Sequence, residues 1–163
     1  MEIEVFAKPA VGAIVEKDIN GVRHILIQKR QKNNSEDGMI EIPAGKIREY
    51  ENVFETLRRE VWEETGLKIT KIMGEDYKII ETGPYSTMDF SPFCVTQNLS
   101  GRYSIILLTF ICSGEGKLLE KTNESSDIHW APINEVKQLL DNHSEKFYPM
   151  SINSLKKYFE KRI

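Results

Sequence analysis

The sequence has few cysteines and no long apolar run. Its two cysteines, Cys94 and Cys112, are too few for a disulfide scaffold and lack the CxxC spacing of a zinc site. The longest apolar stretch, residues 105–112, is far shorter than the roughly 20 residues that span a bilayer. Residues 1–10 carry acidic side chains where a signal peptide needs positive charge. We therefore expect two reduced thiols, no membrane partner and a cytoplasmic location.

An excess of positive charge is also absent. The chain has 22 Lys and Arg against 25 Asp and Glu, which gives a formal net charge of -3. This balance provides no basic surface for duplex DNA, so it disfavours a nucleic-acid polymer as a partner but allows a small phosphorylated ligand. No Gly-, Ser- or Pro-rich linker and no repeat divides the sequence, so we predict a single domain over residues 1–163.

The order of predicted elements indicates an α/β fold. Residues 10–15 and 24–28 are apolar and flank an Asp-Ile-Asn-Gly turn, which predicts a β-hairpin. Apolar residues every four positions predict a helix over 52–65 that ends at Gly66. Further predicted elements are strands at 39–42, 67–73, 77–82, 103–111 and 127–130, and helices at 133–140 and 151–161, the last capped by its serine. This order favours a mixed sheet covered by helices on both faces, an α/β/α layered domain.

Carboxylates gather on one side of the predicted central helix. Glu60, Glu63 and Glu64 are three and four residues apart, so they project from neighbouring positions. Like charges at this spacing repel, and a hard divalent cation such as Mg²⁺, which prefers oxygen ligands, would compensate them. A tight turn predicted at Ala44 and Gly45 would let a backbone carbonyl point at the same ion. These residues predict a Mg²⁺ site.

A longer pattern in residues 45–67 contains these glutamates. It reads glycine, any five residues, glutamate, any seven, then Arg-Glu-apolar-any-Glu-Glu-any-Gly-apolar. The residues at its fixed positions are Gly45, Glu51, Arg59, Glu60, Val61, Glu63, Glu64, Gly66 and Leu67. The pattern resembles the Nudix box, the signature of the Nudix hydrolases, and departs from it at no position. The resemblance implies a Nudix-like α/β/α sandwich with a mixed β-sheet, in which the box forms a loop, a helix and a loop.

The resemblance also implies an activity and a set of metal ligands. Nudix hydrolases cleave a nucleoside diphosphate linked to a second moiety, X, through attack of water on a phosphorus, with Mg²⁺ or Mn²⁺ as cofactor. By resemblance, Glu60 and Glu64 are the main metal ligands, and Glu63 assists them. The carbonyl of Ala44 adds a ligand, and Arg59 orients the carboxylates by ion pairing.

The base that activates the attacking water stays open between two glutamates. Glu60 belongs to the box itself, whereas Glu124 lies in a loop where related enzymes often place a further metal-binding or catalytic glutamate, and we slightly favour Glu124. Glu115 and Glu120 are alternatives on the same connection. Glu51 has a second interpretation, as a carboxylate that stabilises the start of the helix through its dipole.

Residues 81–102 are expected to select X. Tyr85 could stack on a nucleobase, while Arg102 or Arg30 could bind phosphate oxygens. The aromatic residues of this segment could instead pack the loop on its own domain or on a dimer partner. By resemblance, a residue downstream of the box distinguishes some Nudix subfamilies, and the neighbours Pro84 and Tyr85 leave that assignment ambiguous. A nucleotide sugar such as ADP-ribose and a nucleoside triphosphate therefore both stay open as substrates.

Two further questions stay open. A non-catalytic nucleotide-binding regulatory module with the same fold is the alternative to an enzyme, and an isomerase of isoprenoid diphosphates is a more distant one. The helix at 151–161 has Leu155, Tyr158 and Phe159 on one side, and this side could pack on the sheet or form a homodimer.

Overall fold

Ten strands and three α-helices make up the fold in a computed structural model, which describes residues Met1–Ile163. The strands are β1 (Lys8–Ile19), β2 (Val22–Arg30), β3 (Ile40–Glu41), β4 (Ala44–Lys46), β5 (Lys68–Ile72), β6 (Ile80–Thr82), β7 (Tyr85–Thr87), β8 (Cys94–Gln97), β9 (Ile105–Glu115) and β10 (Ser125–Pro132). The helices are α1 (Val53–Thr65), α2 (Ile133–Asn142) and α3 (Pro149–Arg162), with a 3₁₀ turn at Ser144–Lys146 before α3.

The predicted hairpin is confirmed as β1 and β2. Asn20 and Gly21 join the two strands with positive φ angles of 51° and 80°. A two-residue turn of this kind matches the twist of an antiparallel pair, and Asn and Gly are the residues that tolerate it. β1 also pairs in parallel with β9 over Lys8–Val15, which makes the sheet a mixed one.

Eight strands form the main sheet, in the order β10-β2-β1-β9-β5. β3 pairs with β2, β4 with β1 and β8 with β9. β6 and β7 form a separate two-stranded sheet. The short segment that joins β3 to β4 leads to Ala44, whose N donates to Glu64 Oε2 of α1 at 3.2 Å.

Two apolar cores lie on opposite faces of this sheet. Val11, Ala13 and Val15 alternate along β1 and pack in the core under α1, whereas Ile14 packs in the core under α2 and α3. The second core also contains Leu155, Tyr158 and Phe159, so the apolar side of α3 packs on its own sheet. The predicted α/β/α sandwich is confirmed.

The bounds of α1 agree with the prediction because its end signals are local. Asn52 Oδ1 caps the first turn by accepting from Phe54 N at 2.8 Å, and Glu55 Oε2 accepts from Asn52 N at 3.3 Å. Gly66 ends the helix with a φ of 81°, in the left-handed region that favours glycine. A side chain there would meet Leu119 and the Lys117 carbonyl at 2.9 Å. The carboxylates of this helix are therefore held by a well-defined frame.

Three local predictions are wrong. Ala44 and Gly45 do not form a tight turn, because they belong to β4, which pairs with Val11 and Gly12 of β1. The strand expected at 77–82 is confined to β6, and this strand pairs with β7 instead of the main sheet.

The predicted start of α3 is the third error. The helix begins two residues before Ser151, so this serine does not cap it. Ser151 is buried, and its hydroxyl accepts from Ile42 N at 3.3 Å, which ties α3 to the segment between β3 and β4. Cys94 and Cys112 are free thiols, and no helix is long and apolar enough to span a membrane.

Candidate active site

Arg59 gathers three of the box carboxylates around one guanidinium. Its Nε and Nη2 donate to the two oxygens of Glu51, each at 2.8 Å, and its Nη1 donates to Glu60 Oε1 at 2.6 Å. Glu63 Oε2 lies 3.4 Å from the same Nη1. Such bidentate, charge-assisted pairs fix orientation as well as charge. In this structure one guanidinium therefore pairs with three carboxylates of the box, and the orienting role of Arg59 stays a prediction.

Glu64 is buried and bound from two sides. Its Oε2 accepts from Gln28 Nε2 at 3.0 Å and from Ala44 N at 3.2 Å. Gln28 Nε2 also lies 3.3 Å from Glu41 Oε1, and Arg30 Nη1 donates to the other oxygen of Glu41 at 2.6 Å. The buried Gln28 Oε1 has no hydrogen-bond partner. These contacts join Glu64 to a polar network that extends into β2 and β3.

Gly45 leaves the space that the Glu60 carboxylate occupies. A Cβ built on Gly45 would overlap with the Glu60 carboxyl group. The Glu60 side chain is only 14% exposed, so it has little freedom to move aside. The glycine of the box is therefore required at this position for close approach of the β4 backbone to α1.

Burial changes the proton affinity of these carboxylates. Burial, with the nearby Glu41 charge, raises the pKa of Glu64 to about 8. Burial also raises the pKa of Glu60 and of Glu41, partly offset by Arg59 and Arg30 respectively. In contrast, the hydrogen bonds from Arg59 lower the pKa of Glu51 to about 2. Without a cation, the inner carboxylates are thus costly to ionise together.

A cavity of about 330 Å³ lies beside this cluster, and two chemically different kinds of side chain line it. Four carboxylates line it, those of Glu41, Glu60, Glu64 and Glu124. Apolar and aromatic side chains, which form the apolar wall, also line it: Tyr103, Ile105, Leu107, Tyr148 and Met150. Two lysines, Lys32 and Lys46, line the cavity as well. Ligand pockets typically combine an apolar wall with a few placed polar groups in this way.

The loop before β10 brings Glu124 to the edge of the glutamate cluster. Glu124 lines the main cavity and also a smaller polar cleft that includes Glu60 and Glu63. Its side chain is 60% exposed and lies 3.7 Å from Lys32 Nζ. Glu60 and Glu124 therefore meet at one site although 64 positions separate them in the chain.

The donor atoms at this site are of the chemical kind that a hard divalent cation binds. No three His, Cys, Asp or Glu side chains are arranged to enclose an ion. Arg59 binds Glu60 and Glu63, and Gln28 binds Glu64. Nevertheless, four carboxylates line the cavity, and the close approach at Gly45 brings the β4 backbone beside Glu60. Oxygen donors of this kind are those that Mg²⁺ and Mn²⁺ prefer.

The structure places the predicted substrate-binding residues in different environments. Arg30 lines the cavity, but its guanidinium pairs with Glu41 and stacks 3.8 Å from the ring centre of Tyr148. Arg102 is half exposed and lies 3.9 Å from Glu36. Tyr85 is 69% exposed on β7 and is not among the residues that line the cavity.

Several cavity residues were not identified from the sequence. Glu41 lies between two isoleucines in a short strand, and a carboxylate within an apolar run could have signalled a buried polar site. Tyr103 and Tyr148 gave no such signal, because only the pairing of β9 and the position of α3 bring them together. Gln28 does not line the cavity but binds Glu64, and its place at the end of a predicted apolar strand gave no signal of this contact.

Comparison with known proteins agrees with this geometry. A family model for the NUDIX domain matches residues 7–150. An ADP-ribose pyrophosphatase from Methanocaldococcus jannaschii is 30% identical over 138 residues, which cover 83% of this chain and 68% of that protein. The chain therefore belongs to the Nudix family, and its class is that of the Nudix pyrophosphohydrolases.

Solved structures confirm the fold. The NUDIX domain of Shewanella oneidensis NrtR, complexed with ADP ribose, has a TM-score of 0.67 at 15% identity, over 99% of this chain and 91% of that one. A MutT protein from Methanosarcina mazei Go1 has a TM-score of 0.63 at 18% identity, over 99% of this chain and 100% of that one. At these identities the likeness concerns the fold alone.

Proposed function

We propose that this protein hydrolyses the pyrophosphate bond of a nucleoside diphosphate linked to X, with ADP-ribose as the first candidate. The observation that carries the proposal is that the glutamates of the box helix line the same cavity as the apolar and aromatic side chains of the apolar wall. The archaeal relative at 30% identity is named ADP-ribose pyrophosphatase, which supports the choice of X.

The metal would be held by the box carboxylates. Glu60 and Glu64 would be the main ligands, with Glu63 assisting and Ala44 contributing its carbonyl. When bound, Mg²⁺ or Mn²⁺ would offset the negative charge of the pyrophosphate and make water more acidic. Arg59 would keep Glu60 in place during the reaction through the 2.6 Å contact.

Glu124 is our candidate for the general base. Arg59 already binds Glu60, whereas the carboxylate of Glu124 has only Lys32 at 3.7 Å and opens towards the cavity. A general base must be free to accept a proton from water beside the reacting phosphorus. Glu124 meets this condition better than Glu60 does.

Lys32 and Lys46 would bind phosphate oxygens more readily than Arg30 would. Lys32 and Lys46 line the cavity, and Lys46 also lines the cleft beside Glu63. The charge of Arg30 is already balanced by Glu41 at 2.6 Å and Glu36 at 3.4 Å. Arg30 as a direct phosphate ligand, like Arg102 and Tyr85 as substrate contacts, stays a prediction.

The nucleoside would pack on the apolar wall of the cavity. Tyr103, Ile105, Leu107 and Met150 offer a surface on which a planar base can pack, while the pyrophosphate reaches the glutamates. The cytoplasmic location and the homodimer stay predictions as well.

A substrate panel tests this function. Purified protein is incubated with ADP-ribose, nucleotide sugars, dinucleoside polyphosphates and canonical or oxidised nucleoside triphosphates, each with Mg²⁺ or Mn²⁺, and products are separated by chromatography. We expect ADP-ribose and water to give AMP and ribose 5-phosphate. A preference for triphosphates would replace ADP-ribose as X, and nucleotide binding without any cleavage would contradict the enzyme and favour a binding module.

Two variants accompany the panel. Glu64→Gln keeps an oxygen that can accept from Gln28 and Ala44 but removes the charge, so activity should fall by orders of magnitude in a folded protein. Glu160→Gln, at an exposed position of α3, is the matched control and should leave activity unchanged.

A further inference from the structure

The loop that carries Glu124 is fastened to the end of the box helix. Ser125 is fully buried, and its Oγ donates to the carbonyl oxygen of Glu64 at 3.0 Å. Because α1 ends at Thr65, this carbonyl is among the last four of the helix, which have no intrahelical N–H partner. Leu119 N donates to the adjacent Thr65 carbonyl at 2.9 Å. The loop thus satisfies two carbonyls that the helix leaves unpaired.

A second hydroxyl, that of Thr122, connects Ser125 to the backbone of the loop. Thr122 Oγ1 accepts from Glu124 N at 3.2 Å and from Ser125 N at 3.1 Å, and it lies 2.9 Å from Ser125 Oγ. Ser125 has one hydroxyl proton, which it donates to Glu64, so Thr122 must be the donor between the two hydroxyls. The hydrogen bonds therefore run in one direction, from Thr122 through Ser125 to the helix.

These contacts fix the backbone of Glu124 on both sides. Thr122 Oγ1 holds its N–H, and Gln31 N donates to its carbonyl oxygen at 2.9 Å. The Glu124 carboxylate remains 60% exposed and lines both the main cavity and the smaller cleft. The backbone is thus anchored relative to Glu64, while the carboxylate stays free to meet a ligand.

We propose that Thr122 and Ser125 are positioning residues that hold Glu124 over the glutamate cluster. The proposal rests on the proposed function, in which Glu124 acts as the base. Glu124 reaches the cluster only through its loop, since 60 residues separate it from Glu64 in the chain. The hydroxyl pair of Thr122 and Ser125, which joins the loop to the helix, therefore contributes to the distance between the two carboxylates.

Variants at Thr122 test the hydroxyl directly. Thr122→Val keeps the branched shape and removes the hydroxyl, whereas Thr122→Ser keeps the hydroxyl, and the site is only half-buried, so both should fold. Misplacement of a catalytic group by about 1 Å lowers rates by up to roughly 100-fold, so we expect kcat to fall about 10- to 100-fold in Thr122→Val, with KM nearly unchanged. Thr122→Ser should restore most of the rate.

A matched pair separates positioning from loss of stability. Ser125→Ala and Ser154→Ala each remove a fully buried hydroxyl that donates to a backbone carbonyl, of Glu64 at 3.0 Å and of Ser151 at 3.2 Å. Both variants should lower the denaturation midpoint, but only Ser125→Ala should lower kcat. Equal kcat losses in the two would overturn the proposal.

A double-mutant cycle with Glu124→Gln provides the decisive comparison. If Thr122 acts through Glu124, Thr122→Val should have no further effect on kcat in the Glu124→Gln background. Full additivity, or an unchanged kcat in Thr122→Val itself, would overturn the positioning role while leaving the hydrolase intact. An unchanged kcat in Glu124→Gln would overturn both this role and the assignment of the base, whereas an inactive wild type would contradict the proposed function.

Amide hydrogen exchange gives a readout that does not require turnover. The Glu124 N–H is bonded to the Thr122 hydroxyl, so its exchange in the nucleotide-free protein should be faster in Thr122→Val than in Thr122→Ser. Equal exchange in the two variants would contradict the anchoring of the loop.

Discussion

The carboxylate of Glu60 occupies the space that a side chain at Gly45 would need. We expect Gly45→Ala to push Glu60 away from its contact with Arg59 and to lower kcat/KM by about 100-fold. The overlap should also reduce the free energy of unfolding by about 1–3 kcal/mol. Activity with ADP-ribose and urea denaturation measure the two effects.

Gly114→Ala is the control for this variant. Gly114 also lies in the sheet, and its new Cβ would lie 3.2 Å from the Lys68 carbonyl oxygen and 3.5 Å from Val15 Cγ1, away from the site glutamates. Gly114→Ala should therefore be less stable than the wild type but equally active. An active Gly45→Ala protein would mean that Glu60 can leave its position at no functional cost.

Arg59 and its neighbour Arg58 allow a second matched test. A lysine at position 59 has one nitrogen, so Arg59→Lys cannot bind both oxygens of Glu51 and also Glu60. We therefore expect activity to fall about 10- to 100-fold. Arg58→Lys breaks a similar pair, with both Glu75 contacts at 2.6 Å, but Arg58 does not line the cavity. Steady-state kinetics should separate the two variants, and equal losses would contradict the orienting role of Arg59.

Local signals in the sequence were sufficient to predict the helix of the site. Asn52 and Gly66 cap α1 through contacts within a few residues, and the apolar stripe of Leu57 and Val61 needs only helical periodicity. The same periodicity places the box glutamates on one side of the helix. Secondary structure with local causes was therefore predictable.

Strands and contacts with distant causes were not predictable from one sequence. β4 and β8 are three and four residues long and exist only because β1 and β9 lie beside them. Arg30 is a candidate phosphate ligand in the sequence, and one sequence does not show that the pairing of β2 with β3 brings Glu41 to it. Tyr85 is a candidate for stacking on a nucleobase, and one sequence does not show that it lies on a separate β6–β7 hairpin.

Tyr103 in the cavity and Tyr85 on β7 lead to a third prediction. Tyr103 belongs to the apolar wall of the cavity, on which we propose that the base packs. We therefore expect Tyr103→Leu to raise KM for ADP-ribose about tenfold with a smaller change in kcat. Tyr85→Leu, measured in parallel, decides the sequence-based prediction for that residue. An unchanged KM in Tyr103→Leu would place the nucleoside elsewhere.

The buried carboxylates lead to a fourth prediction, on stability against pH. The pKa of Glu64 is raised from its ordinary value of 4.5 to about 8 in the folded protein. The folded state therefore binds more protons than the unfolded state between these values, and the unfolding free energy of the metal-free protein should fall as pH rises from 4.5 to 8. Urea denaturation in EDTA at pH 5, 6.5 and 8 measures this slope.

Glu64→Gln and Glu51→Gln should change stability with opposite signs. Glu64→Gln removes the cost of ionising a buried group, so it should flatten the slope and exceed the wild type at pH 8 by up to a few kcal/mol. The pKa of Glu51 is lowered to about 2, so its ionised form stabilises the folded state above pH 4.5, and Glu51→Gln should be less stable throughout pH 5–8.

Saturating Mg²⁺ should stabilise the wild type at pH 8 but not Glu64→Gln, because a cation favours the ionised carboxylate. Equal stabilisation of both proteins by Mg²⁺ would contradict the assignment of Glu64 as a metal ligand.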